Sequence, residues 1–155
     1  MSLSTRSAAV TRAVLISRIL GFCVYVAAFF LPACREPATL AGVTPDSYMG
    51  YNCAWMTLVN TFSGELWISQ YSLAILSGWI NPLILLYLFL LLFPKLFWLR
   101  RIVAGSIALF IAGTWVFFAL VPLVPLIGHI LWIAGILLIL VGEAIGREDA
   151  GSAAA

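Results

Sequence analysis

Residues 102–142 read IVAGSIALFIAGTWVFFALVPLVPLIGHILWIAGILLILVG, 41 residues without a single charge. A helix that crosses the roughly 30 Å hydrocarbon core of a bilayer needs about 20 predominantly apolar residues, so this stretch holds enough chain for two. Residues 121–125 (VPLVP) divide it. Proline lacks an amide donor and disfavours helix in the residue before it, so the chain is expected to reverse there. The stretch therefore predicts two antiparallel spans, at 102–121 and 126–143.

Working outward, 29 uncharged residues lie between Glu65 and Lys95, room for one further span at 71–93. A fourth span is expected at 14–31, where Arg18 interrupts the apolar run and leaves 13 unbroken residues from Ile19 to Leu31. Near a helix end such an arginine snorkels to the interface. The expected fold is all-α: one integral membrane domain over 1–155 with four transmembrane helices, an outer loop at 32–70 carrying an interfacial helix, and a tail at 144–155.

Composition points the same way. Of 155 residues, 64% are hydrophobic and 9% charged, with a net charge of +2, whereas soluble domains carry roughly 45–50% apolar and about 25% charged residues. The low charge and high apolar content exclude a disordered chain as well. An even number of spans puts both termini and the loop between the second and third spans on one side. That side carries Arg6, Arg12, Arg18, Lys95, Arg100, Arg101 and Arg147, against Arg35 alone opposite. Excess Lys and Arg marks the cytoplasmic face, so the expected location is a bacterial inner membrane with both termini cytoplasmic. The expected partners are the lipid bilayer and other membrane protein subunits, not nucleic acid.

The outer loop mixes aromatic residues with Asn, Thr and Ser from Tyr51 to Phe62, a composition suited to a helix in the headgroup region. Tyr48, Tyr51, Trp55, Trp67 and Tyr71 are expected to form an aromatic belt. Cys34 and Cys53 share this loop, 19 positions apart. A disulfide between them is chemically allowed outside the cytoplasm and would contribute about 3 kcal/mol on the chain-entropy model. A rival reading of the N-terminal segment treats it as a lipoprotein signal ending in Leu31-Pro32-Ala33-Cys34, with Cys34 the acylated residue.

Within the spans, Asn81-Pro82 predicts a kink, because the proline frees the carbonyl of Gly78. Asn81 at bilayer depth must face another helix, since turning it to lipid would strand its polar atoms. Ala104, Ala108 and Ala112, beside Gly105 and Gly113, form one seam of small residues, and Gly128, Gly135 and Gly142 form another. Small residues allow helices to approach closely in lipid. His129, the only histidine, has three readings: a structural hydrogen-bonding residue, a proton relay, or the axial ligand of a haem or chlorophyll-type pigment. Glu65 and Glu143 are expected at the membrane edges, with Glu65 a partner for Arg35. No constellation of nucleophile, acid and base is legible, and one histidine with three scattered cysteines matches no zinc spacing.

Phe29-Phe30-Leu31-Pro32-Ala33, Trp79-Ile80-Asn81-Pro82 and Gly128-His129-Ile130-Leu131-Trp132-Ile133-Ala134-Gly135 together resemble a loose set of small bacterial four-helix inner-membrane proteins of unassigned function. The resemblance covers about residues 14–143. It implies the topology and carries no activity or ligand. The expected function is a structural or accessory role in a larger membrane complex, not an enzyme. The alternatives are a pigment- or haem-binding subunit of an energy-converting complex and a small transporter or channel.

Overall fold

The computed structural model describes residues 3–36, 46–62 and 72–152, with side chains described over 9–36, 46–62 and 72–141. In chain order these form α1 (Leu3–Ala28), β1 (Pro32–Arg35), β2 (Ser47–Met49), α2 (Gly50–Asn60), α3 (Ser72–Gly78), α4 (Ile80–Leu90), a 3-10 turn at Pro94–Leu96, α5 (Phe97–Leu120), β3 (Val124–Pro125) and α6 (Ile127–Ser152). Three stretches are long and apolar enough to cross a membrane: Ala9–Ala28, Ser72–Leu90 and Pro94–Leu120. The apolar part of α6, Ile127–Val141, is shorter.

Prolines set most of the boundaries. α1 ends at Ala28, earlier than expected, because Leu31 precedes Pro32 and the chain turns into β1. The second apolar stretch is broken at Trp79, between α3 and α4, three residues before Pro82. The proline's missing amide leaves the ladder to resume with Leu83 N–H donating to the Trp79 carbonyl at 3.1 Å. Phe93 is extended ahead of Pro94 (φ −119°, ψ 83°), which starts a fresh helical turn, so α5 begins at Phe97 and includes Arg100 and Arg101. α6 continues past Glu143 to Ser152, through residues expected as a tail.

The segment expected as an outer loop is not purely helical among its described residues, which amends the all-α expectation. β1 is the central strand of a small antiparallel sheet in the order β2-β1-β3. Cys34 pairs with Tyr48 on one side and Pro125 on the other, and Arg35 with Ser47 and Val124. The VPLVP reversal thus lends two residues to a strand. Two short, unlike segments complete each other's backbone hydrogen bonds, which neither could satisfy alone.

α1 and α6 pack antiparallel along their described lengths. Ser17 Oγ donates to the Leu138 carbonyl across the pair at 2.8 Å. A Cβ on Gly135 would lie 2.6 Å from the Tyr25 nitrogen, and one on Gly21 would lie 2.7 Å from the Gly135 carbonyl oxygen. Only two glycines facing each other allow this approach. Against this pair lies α4 with α5, and the shared core is Tyr25, Ile80, Ile84, Tyr87, Leu90, Val103, Ile107, Ile111, Ile133, Ile136 and Ile139. Large apolar side chains such as Ile16, Leu85, Leu109 and Leu137 point outward.

The two small-residue seams behave differently. Gly135 is buried in the α1 contact, and Gly128 sits against the carbonyls of Leu31 and Pro32. On α5, Ala104 is half-buried, Ala108 and Ala112 are exposed, Gly105 has open space beside it, and Gly113 approaches only Leu73. Ala104 thus packs against the core, while Gly105, Ala108 and Ala112 face away from the described helices. Gly142 and Glu143 have no described side-chain surroundings, and Glu65, Trp67 and Tyr71 lie outside the described residues.

Gly135→Ala should therefore destabilise the protein by roughly 1–3 kcal/mol through forced separation of α1 and α6. Gly105→Ala should leave stability within about 0.5 kcal/mol. Thermal unfolding of the two variants in one detergent checks the contrast, and equal losses would contradict the packing.

Candidate functional site

At the end of the bundle capped by the sheet, the two helix pairs separate around a cavity of about 750 Å³. The end of α1 and the inner faces of α3, α5 and α6 form its walls, and β1, β2 and α2 form its outer side. α2 is held there by its first two amides: Gly50 N–H donates to the Leu31 carbonyl at 3.0 Å and Tyr51 N–H to the Phe29 carbonyl at 2.9 Å. Further along, α2 lies against Gly78, where an added Cβ would come within 2.6 Å of Thr57 Cβ. Gly78 therefore has two local roles: its carbonyl loses the proline-blocked partner, and its missing side chain admits α2.

Asn81 lies at the inner end of the cavity. Its Oδ1 accepts from the Tyr25 hydroxyl at 2.9 Å and from Trp132 Nε1 at 3.1 Å. One amide oxygen thus joins α1, α4 and α6, with both of its lone pairs engaged. Tyr25 and Trp132 as its partners were not legible in the sequence, because nothing in either side chain's spacing points to α4.

The cavity's hydroxyls are satisfied locally. Thr114 Oγ1 donates to the Phe110 carbonyl at 2.9 Å, and Ser77 Oγ to the Ala74 carbonyl at 2.6 Å. Thr57 Oγ1 reaches the Cys53 carbonyl at 2.9 Å and the Ala54 carbonyl at 3.0 Å. These are bonds back to each residue's own helix. His129 differs. It is 7% exposed, and its Nε2 is buried with no hydrogen-bond partner.

The imidazole is surrounded by rings. Trp132 stacks on it with centroids 5.6 Å apart and planes at 30°, while Phe118 at 4.7 Å and Trp115 at 5.8 Å meet it edge-on. Axial ligation of a haem or chlorophyll-type ring needs a flat slot in line with a histidine nitrogen. His129 Nε2 is buried, while the residue itself lines the cavity. No group of three or more His, Cys, Asp or Glu side chains that could hold a metal ion occurs among the described residues.

Cys34 and Cys53 line the outer side of the cavity with sulfurs 3.7 Å apart. Both are thiols in the structure. Their hydrogen bond pulls Cys34 below the ordinary thiol value, against burial and the nearby Glu36 carboxylate, and pushes Cys53 up. At the rim, the Tyr48 hydroxyl donates to Glu36 Oε1 at 2.8 Å, a bond that raises the phenol's pKa. Whatever stability that bond supplies is present below the ordinary phenol value and is lost as pH rises through the raised one.

Compared with protein-family models, with curated proteins and with solved structures, the chain matches none.

Asn81→Leu removes the shared acceptor and leaves the Tyr25 hydroxyl and Trp132 indole unpaired. A loss of about 1–2 kcal/mol is expected. Tyr25→Phe should then cost much less in the Asn81→Leu background than in the wild type, a coupling that a double-mutant cycle measures. Additive losses would contradict the shared bond.

Proposed function

We propose that the protein is a four-span inner-membrane protein with an accessory, non-catalytic role, and that its outward-facing cavity holds an uncharged, lipid-like molecule. The observation that carries this reading is the cavity itself: about 750 Å³ of apolar-walled space whose one unpartnered buried nitrogen is His129 Nε2, among the described residues. Small-molecule sites are mostly apolar concavities with a few placed polar groups. A buried polar atom left without a partner costs about 1–3 kcal/mol, and a hydroxyl on an apolar guest would recover that loss once the imidazole turns Nε2 towards the cavity.

The four-span reading is supported by the pairing of α6 with α1. α6 lies antiparallel beside a helix of spanning length, level with it at Ser17 and Leu138 and again at Gly21 and Gly135. A helix held at the same depth crosses with its neighbour. The distribution of Lys and Arg supports an orientation with the sheet end outside and the termini in the cytoplasm. α2 suits the outer interface: Tyr51, Trp55, Leu58 and Phe62 are exposed and recur at helical spacing along one face, the pattern of a helix lying in the headgroup region. Membership of a larger complex is the natural setting for an accessory protein whose α5 presents an unpaired seam at Ala108 and Ala112.

A long-chain alcohol carrying a photoreactive diazirine tests the cavity. After irradiation of the protein in bilayers, the expected adducts lie on Ile75, Phe118 and His129, are displaced by excess unlabelled alcohol, and fall severalfold in Ala54→Trp, where an indole fills the space. Adducts spread over lipid-facing residues such as Leu85 and Leu109, without competition, would overturn the reading.

A further inference from the structure

We propose that Cys34 and Cys53 are a disulfide-forming pair that closes on the outer side of the membrane and bonds β1 covalently to α2 across the cavity's outer wall. The inference rests on the orientation given under Proposed function.

The geometry is prepared on both sides. Cys34 occupies the central strand, its backbone paired with Tyr48 and Pro125. Cys53 lies in the first turn of α2, whose leading amides are bonded to the carbonyls of Phe29 and Leu31. Cys34 is thus held by the sheet, and the start of the helix that carries Cys53 is held by the turn that leads from α1 into β1. The sulfurs already stand 3.7 Å apart, and side-chain rotation must close that gap to the roughly 2.05 Å of a disulfide. Cys34 is 8% exposed, so the pair faces the protein and not the lipid. Cys23 is exposed on α1 and serves as an internal reference thiol.

Exported segments meet an oxidising environment in which disulfides form and persist. The co-reactant is a protein disulfide donor of the thiol-disulfide oxidoreductase class. The Cys34 thiol loses its proton, and its thiolate attacks one sulfur of the donor's disulfide, breaking that bond and releasing the donor's other sulfur as a thiolate. The deprotonated Cys53 thiol then attacks the Cys34 sulfur of the mixed disulfide. The Cys34–Cys53 bond forms and the donor leaves as a dithiol, having gained two electrons and the two protons the cysteines lost.

The bond has a structural consequence for the cavity. α2 touches the rest of the bundle at its start, near Gly50, and at Thr57 against Gly78. Opening the outer wall requires α2 to swing away from β1, and the disulfide blocks that motion while leaving the cavity intact.

The test uses the full-length protein in its own membranes. Cells are treated with N-ethylmaleimide before lysis, free thiols are blocked under denaturing conditions, and the protein is then reduced and labelled with a polyethylene-glycol maleimide. The expected result is two added labels per wild-type chain, two in Cys23→Ser, and none in Cys34→Ser or Cys53→Ser. No label in the wild type would overturn the pairing. In parallel, Cys34→Ser is exposed to a membrane-impermeant maleimide before and after the membrane is opened. Labelling of Cys53 from outside, together with an unoxidised wild type, overturns the disulfide and leaves the orientation standing. Labelling of Cys53 only after opening overturns the orientation, and the disulfide's oxidising compartment with it.

Discussion

Most of the bundle's geometry depends on one amide oxygen. Asn81 Oδ1 receives hydrogen bonds from Tyr25 on α1 and Trp132 on α6, and in a medium without water those donors have few other places to go. The bond trio ties the two helix pairs together at one depth. The break at Trp79, before Pro82, separates α3 from α4 beside it. The break at Trp79 lets α3 take its place in the cavity wall, with Gly78 admitting α2.

Close approach does the rest. Lipid offers no hydrophobic drive for helix association, so contact area and small residues decide which helices pair. Gly21 against Gly135, reinforced by Ser17 to Leu138, makes α1 and α6 the tightest pair. On the sheet side of that pair, Leu126 N–H donates to the Ala33 carbonyl at 2.8 Å, which locks the start of α6 to β1. The cavity exists because the pairs are pinned at Asn81 on one side and at the sheet on the other, with aromatic and small side chains between.

The apolar runs and the prolines made the long helices and their order legible, since a charge-free stretch in a chain this apolar has one stable solution. Proline chemistry also announced the break at Asn81-Pro82 and the reversal at VPLVP. The small sheet was not legible: its strands are two to four residues long, and strand pairing between β1 and β3 joins positions 89 and 91 apart with no alternating pattern to betray it. Gly21 was not legible as a contact although Ser17-x-x-x-Gly21 is a small-residue repeat, because Arg18 puts a charge into the same turn. The α5 alanines carried the stronger repeat, yet Ala108 and Ala112 face outward, since a seam shows that close packing is permitted and not which neighbour takes it. His129 stood out as the sole histidine, but its enclosure by Trp115, Phe118 and Trp132 depends on α5 and α6 converging, which only the folded chain reveals.

The shared acceptor is the claim on which the arrangement of both helix pairs stands, and the indole proton of Trp132 reports on it directly. Solid-state NMR of tryptophan-labelled protein in lipid bilayers, with exchange into deuterated water, follows that proton. A hydrogen-bonded, exchange-protected Trp132 Nε1–H whose resonance shifts in Tyr25→Phe, where the oxygen keeps a single donor, is the predicted result. An indole that exchanges as freely as an exposed one and ignores the loss of the Tyr25 hydroxyl would contradict it.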